Sequence, residues 1–216
     1  MSSYFTTPIG TAFYTYVFKP DVQFKEDGEF SVKLRLSGED ATKFQEKVDS
    51  LHEKSVEKAK EDNPAKKIKK AAPPYKEVTN ENDEPTGELE FAIKQPAVTK
   101  TRKGPWNRTI AVFDAEGNAI TSMLSIGNGS KVRASFEPYY WYTPSLGAGV
   151  RLGFRGLQII DLIEYNPDSE DGGDSMGFGK VADGYKHDNK NNSEGASDGN
   201  ESEEFFSSKD QDEEDF

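Results

Sequence analysis

The sequence predicts a mainly β fold: a small five-stranded barrel with one inserted amphipathic helix, followed by a disordered acidic tail. Three observations carry this expectation. Several short segments alternate apolar and polar residues with period two. A single stretch changes to helical spacing. After Tyr165 the apolar pattern stops, and Gly, Asp, Asn, Ser and Glu dominate to Phe216. That last segment cannot bury enough apolar surface to offset its ordering entropy. Two regions follow: a folded domain over 1–165 and a tail over 166–216.

In chain order, Thr11 to Phe18 is the first β-rich run and Asp21 to Gly28 a polar turn. The next run places Phe30, Val32, Leu34 and Leu36 on one face and Ser31, Lys33 and Arg35 on the other. From Asp40, Ala41, Phe44, Val48, Leu51 and Ser55 fall at helical spacing, and Asn63-Pro64 supplies a stop. Lys66 to Lys70, Pro73-Pro74-Tyr75 and the polar stretch to Gly87 read as an extended loop. Strand signals resume at Leu89 to Gln95, Thr109 to Asp114, Lys131 to Glu137 and Val150 to Ile163, with turn chemistry at Asp114 to Asn118 and Gly127 to Ser130. Five or six short strands and one helix fit a small barrel, and the oligonucleotide-binding (OB) fold is the commonest of that size.

The charge is uneven. The chain carries −12 overall, but residues 1–165 hold 23 Lys+Arg and 23 Asp+Glu, whereas 166–216 hold 4 and 16. All the excess negative charge sits in the tail, so the folded part is free to present a basic stripe. No apolar run reaches the roughly 18 residues of a membrane span, and no secretory signal opens the chain. A soluble, cytoplasmic protein without a membrane partner is expected. The absence of cysteine removes thiol chemistry and sulfur-ligated metals. His52 falls at a polar helix position and His187 in the tail, and no nucleophile with an adjacent base or phosphate-cradling glycine loop occurs. Neither an enzyme nor a cofactor or metal site is expected.

Binding chemistry is better represented. On the last strand, Arg151, Gly153 and Arg155 share a face opposite Val150, Leu152 and Phe154. Gly153 removes a side chain that would hold a ligand's backbone away. Lys131 and Arg133 share a face of their own strand, so a hairpin of the two strands would align four cations; a plain solvated face gives the same pattern. Between these strands, Pro138-Tyr139-Tyr140-Trp141-Tyr142-Thr143-Pro144 reads as a loop whose rings cannot all be buried. Tyr139 and Trp141, on one side, are the stacking candidates, since a base stacked on an exposed ring gains roughly 1 to 3 kcal/mol whatever its sequence; one or two of the rings could instead plug the barrel end. Lys100, Arg102, Lys103, Trp106 and Arg108 form a second cationic loop around one ring, suited to gripping a phosphate backbone. Lys66, Lys67, Lys69 and Lys70 either bind phosphates or keep a loop soluble. Tyr14, Tyr16 and Phe18 fit a core or an exposed platform equally.

With these pieces in order, the chain resembles the single-stranded DNA-binding proteins of T-seven-like bacteriophages. The resemblance runs through Ile9-Gly10-Thr11-Ala12 with Tyr14, Tyr16 and Lys19-Pro20-Asp21, and through the lysine-rich loop ending Pro74-Tyr75. It continues in Gly127-Asn128-Gly129-Ser130-Lys131, Pro138-Tyr139-Tyr140-Trp141, Gly147-Ala148 and the terminal Asp212-Glu213-Glu214-Asp215-Phe216. It implies an OB fold and sequence-tolerant binding of single-stranded DNA in phage replication, recombination, repair and strand annealing, inside the infected bacterial cytoplasm. It also implies a tail whose terminal aromatic, here Phe216, engages the replicative DNA polymerase and helicase-primase and competes for the DNA groove, and a chain able to form a homodimer. The departures are a loop from Lys66 to Tyr75 with lysines but no arginine, and a Gly- and Asn-rich tail start with an added Phe205-Phe206 pair. The rival class is a scaffold or DNA mimic acting through its tail, which has no reason to set rings beside cations. An RNA chaperone is closer, since no residue is marked as a reader of the 2′-hydroxyl.

Overall fold

The computed structural model describes residues 4–102 and 104–165. In chain order the elements are β1 (Phe5–Thr6), β2 (Gly10–Asp21), β3 (Glu29–Ser37), α1 (Gly38–Asp62), β4 (Tyr75–Thr79), β5 (Pro85–Pro96), β6 (Val98–Thr101), β7 (Gly104–Asn107), β8 (Ala111–Phe113), β9 (Lys131–Thr143) and β10 (Gly147–Asp161). The fold is mainly β with one helix among the described residues. None of those residues forms a helix long and apolar enough to cross a membrane.

The main sheet follows a circuit of pairings. β2 pairs with β3, β3 with β5, β5 with β10, β10 with β9, and β9 returns to β2. The β3–β5 and β9–β10 ladders are long, but closure is thin elsewhere: β5 meets β10 through Leu152 opposite Ile93, and β2 meets β9 through Gly10 opposite Val132 and Thr11 opposite Lys131. The sheet is therefore an unevenly closed ring, with β1, β4 and β8 added at its margins. Inside lie Phe30, Val32, Leu34 and Leu36 of β3, as their alternation predicts, with Phe91, Ile93, Phe136, Leu152 and Phe154.

Helix α1 buries Ala41, Phe44, Val48, Leu51, His52, Ser55 and Ala59 on one stripe. Glu39 and Asp40 in its first turn and Lys60 in its last complement the helix dipole. Phe44 meets Phe91 and Phe136 edge-on, with centroids 4.7 and 5.8 Å away. His52 is not at a polar surface position: it is fully buried, and its Nε2–H donates to the Ala148 carbonyl at 3.1 Å. A carbonyl can only accept, so this bond fixes the tautomer. Ser55 donates to the Gly149 carbonyl at 2.7 Å. The polar atoms of the helix stripe thus hold the beginning of β10.

The stretch expected as loop over 66–87 contains β4, which pairs with β5. Its residues are polar because Val78 alone is buried, which hides the strand from an apolar pattern. The loop expected over 100–108 is the β6–β7 hairpin. Most consequentially, the aromatic run is no loop: β9 extends through it to Thr143 and turns at Pro144–Leu146.

Candidate nucleic-acid interface

The long β9–β10 ladder sets the aromatic run beside the glycines of β10. Arg151 lies opposite Tyr139, Gly149 opposite Trp141 and Gly153 opposite Glu137. A Cβ on Gly153 would stand 2.6 Å from Tyr139 Cδ2, and one on Gly149 at 2.6 Å from Trp141 Cε2. Both rings thus occupy the volume of missing side chains and lean across the neighbouring strand. Gly153 was expected to admit a ligand's backbone; the ring of Tyr139 fills that space instead. Tyr140 and Tyr142 alternate with Tyr139 and Trp141 along the strand and, together with Trp141, border Ser55, Lys58, Ala59 and Asp62 of α1.

Two guanidinium groups approach Tyr139: that of Arg151 at 4.9 Å from the ring centre and that of Arg155 at 5.6 Å. Arg155 donates to Glu137 Oε2 from Nη2 at 2.7 Å and from Nε at 3.1 Å, and also to the Tyr139 hydroxyl. Burial alone would lower its proton affinity, but the bonds and charges of Glu137 and Tyr139 outweigh this and raise it. Arg155 is therefore an internally satisfied cation that braces Tyr139. Arg151 differs. Burial, with repulsion from Arg108 and Arg155, lowers its proton affinity against the pull of Tyr139 and Glu29, and its buried Nε–H has no hydrogen-bond partner among the described residues. A guanidinium stays charged under such conditions, so Arg151 is a donor lacking an acceptor.

Arg151 separates two clefts. One, about 400 Å³, is lined by Asp27, Thr99, Lys100, Arg108 and Tyr139. The other, about 440 Å³, is lined by Lys33, Pro73, Pro74, Lys76, Lys94 and Trp141. Both hold cations beside a ring. Their carboxylates are few and engaged: Lys100 lies 3.6 Å from Asp27, and Glu90, buried in the second cleft, receives Arg35 at 3.0 Å with Lys76 at 3.5 Å and Lys33 at 3.7 Å. Burial pushes the Glu90 carboxyl up, but the Arg35 hydrogen bond and the Lys33, Lys76 and Arg35 charges bring it below the ordinary range.

The lysine loop joins this surface through its backbone. Ala148 N–H donates to the Lys69 carbonyl at 2.8 Å, and Ala71 N–H donates to the Ala148 carbonyl at 2.9 Å. This close approach needs Gly147, whose φ is +98° and whose Cβ would stand 2.8 Å from the Lys69 carbonyl carbon. Lys66, Lys67, Lys69 and Lys70 are all exposed, and Lys66 Nζ lies 6.0 Å from the Tyr142 ring centre. On the β6–β7 hairpin, Trp106 is exposed, with the Arg108 guanidinium 4.6 Å from its ring centre and Arg108 Nε donating to Thr99 Oγ1 at 2.8 Å. Arg102 is exposed in the hairpin turn. Lys103 and the tail residues Asp212, Glu213, Glu214, Asp215 and Phe216 lie outside the described residues.

The structure therefore gathers the lysine loop, Tyr139, Trp141, Arg151, Arg155, Lys100 and Arg108 around one surface. Lys131 and Arg133 do share a face of β9, but they sit at its opposite end. Lys131 donates to Thr11 Oγ1 at 2.8 Å and is eight residues from Tyr139, about 26 Å along a strand. The expected hairpin forms and carries all four cations, with Arg133 opposite Gln158, three residues beyond Arg155, and Lys131 opposite Asp161. Sequence reasoning assigned no role to Lys33, Lys76 and Lys94, which β3, β4 and β5 carry into the second cleft. The available signal was the outward face of β3, already charged at Lys33 and Arg35.

A family model described as single-stranded DNA-binding protein, bacteriophage T7, matches residues 9–162. Among solved structures, the chain is similar to gp2.5, a single-stranded DNA-binding protein encoded by bacteriophage T7, with 22% identity, a TM-score of 0.65, and 87% of this chain and 100% of that one covered. It is also similar to the single-stranded DNA-binding protein of bacteriophage Enc34 in complex with single-stranded DNA, with 14% identity, a TM-score of 0.53, and 74% of this chain and 88% of that one covered. These likenesses show a shared fold. No curated protein matches significantly.

Proposed function

Because the chain belongs to the family of the bacteriophage T7 single-stranded DNA-binding protein, we propose that it is a phage protein that binds single-stranded DNA without sequence preference, along the surface divided by Arg151. The observation that carries the reading is the pairing of ring and cation in both clefts: Tyr139 with Lys100 and Arg108 in one, Trp141 with Lys33, Lys76 and Lys94 in the other. Rings stack on any base, and cations neutralise the backbone. The unsatisfied Nε–H of Arg151 faces the role of phosphate donor. The role is binding, with no catalytic step.

The circuit of strands supports an OB assignment, a partly open five-stranded barrel whose second and third strands and hairpin loops form the nucleic-acid face. Here β3 and β5 are those strands, and β9–β10 is the last hairpin. The finer roles follow from this reading: replication, recombination and annealing in the host cytoplasm, a homodimer, and a tail that recruits the replicative polymerase and helicase-primase through Phe216 and competes with DNA for the groove. The acidic balance of the tail supports the competition, since it resembles the ligand in charge. Deleting residues 200–216 should tighten DNA binding, whereas replacing Phe216 by Ala should spare DNA affinity and abolish partner contact.

The test is a fluorescence-anisotropy titration of an unstructured labelled DNA strand at several salt concentrations, with duplex DNA and RNA of the same sequence as competitors. Single-strand binding, with a log-log salt slope of about −0.7 per phosphate neutralised, is expected. Failure to bind at low salt, with or without the tail, would remove the reading.

A further inference from the structure

A cleft of about 540 Å³, larger than the two divided by Arg151, lies between β2 and the Met123–Asn128 loop. It is lined by Tyr14–Lys19, Met123–Asn128 and Tyr165, a set that includes one lysine and no carboxylate, whereas Asp27 and Glu90 line the other two. Tyr14, Tyr16, Met123 and Tyr165 are exposed around it.

Strict alternation along β2 would place Tyr14 and Tyr16 on the side of buried Ala12. A bulge prevents it. Phe13 faces Lys33 and Tyr16 faces Ser31, so β2 advances three residues while β3 advances two, and Val17 becomes the next buried residue. At the bulge Tyr14 has φ +50°, a left-handed conformation that a tyrosine rarely adopts. Its N–H donates to Asn128 Oδ1 at 2.9 Å, and the turn bearing Asn128 is tied to Ala12, with Gly129 N–H donating to the Ala12 carbonyl at 2.9 Å and Ala12 N–H to the Ser130 carbonyl at 2.8 Å. The fold holds a strained backbone that puts a ring 54% exposed outside the barrel, and strain of this kind is retained where the surroundings over-determine it. Lys33 Nζ lies 4.6 Å from the Tyr14 ring centre and also lines the Trp141 cleft. Lys33 therefore connects the two surfaces.

We infer that a bound DNA strand continues from Trp141 past Lys33 and stacks a base on Tyr14, with the adjoining nucleotide in the cleft between β2 and the Met123–Asn128 loop. This rests on the single-strand-binding reading and extends it to a second station. The continuity through Lys33 and a lining that holds no carboxylate among the described residues favour a nucleic-acid strand over an acid-fringed peptide site.

The experiment compares strands of about four and about sixteen nucleotides, the range of site sizes for such barrels, on the full chain. Tyr14→Ala should weaken binding of the long strand about 5- to 100-fold and leave the short strand unchanged, while Tyr14→Phe should restore the long-strand affinity. Tyr14→Gly should lose the same affinity yet raise Tm, because glycine adopts positive φ without strain. Wild-type affinity of Tyr14→Ala for the long strand would overturn the inference, as would equal losses on both strands. Failure of the unsubstituted chain to bind either strand would overturn the single-strand-binding reading together with it.

Discussion

The ring of Trp141 stands where a side chain on Gly149 would stand, its Cε2 2.6 Å from the position of the absent Cβ. The two residues are direct partners across the β9–β10 ladder, so a side chain at position 149 and the Trp141 ring compete for one volume. Gly149→Ala should therefore expel the ring, destabilise the fold by about 1–3 kcal/mol and weaken single-strand binding. Chemical denaturation and anisotropy on the same variant check both effects.

Rings and cations contribute in separable ways. Trp141→Ala should lower affinity about 5- to 100-fold with little change in salt slope, because stacking releases no counterions. Arg151→Ala should reduce the slope by about 0.7, the loss of one phosphate contact. Arg155→Ala should do less to the slope, since its charge is already held by Glu137, and more to the position of Tyr139. Affinity measured at a series of salt concentrations distinguishes the three.

Glu90 links fold to pH. Its folded pKa lies below that of an unfolded glutamate, about 4.3, so the stability it contributes is present above that value and is lost as pH falls through the folded pKa. Glu90→Gln should cost about 1.5–3 kcal/mol at neutral pH, and the difference from the unsubstituted chain should shrink in acid. Urea melts at neutral pH and near pH 3 measure the two ends.

Gly147 joins the lysine loop to the hairpin. With φ at +98° and the Lys69 carbonyl carbon 2.8 Å from its would-be Cβ, Gly147→Ala should free that loop. Faster hydrogen exchange at the Ala71 amide, which donates to Ala148, is the expected signature.

What the sequence disclosed depended on whether a signal was local. The inward face of β3 and the stripe of α1 are read directly from spacing, because burial selects apolar residues at fixed periods. The pairing of Tyr139 and Trp141 on one side was also legible, since strand neighbours alternate. That they lie on a strand was not, because the glycines that make room for them, Gly149 and Gly153, belong to the next strand. Lys76 and Lys94 were invisible as site residues for the same reason: only the pairing of β4 with β5 and of β5 with β10 brings them to the cleft that Trp141 lines. His52 was misplaced because its partner, the Ala148 carbonyl, is distant in sequence, and Tyr14 depends on Asn128 in a remote turn.

The chain contains two tryptophans: Trp141 lines the second cleft, and Trp106 lies against Arg108, which lines the first. The most direct test is thus quenching of intrinsic tryptophan fluorescence by an unlabelled thymidine strand, followed in the unsubstituted chain and in Trp106→Phe. Saturable quenching is expected in both, with Trp141 alone responsible in the variant and the signal reversed by salt. Unchanged Trp141 emission in Trp106→Phe, under conditions where anisotropy shows the strand bound, would contradict the proposed stacking on Trp141.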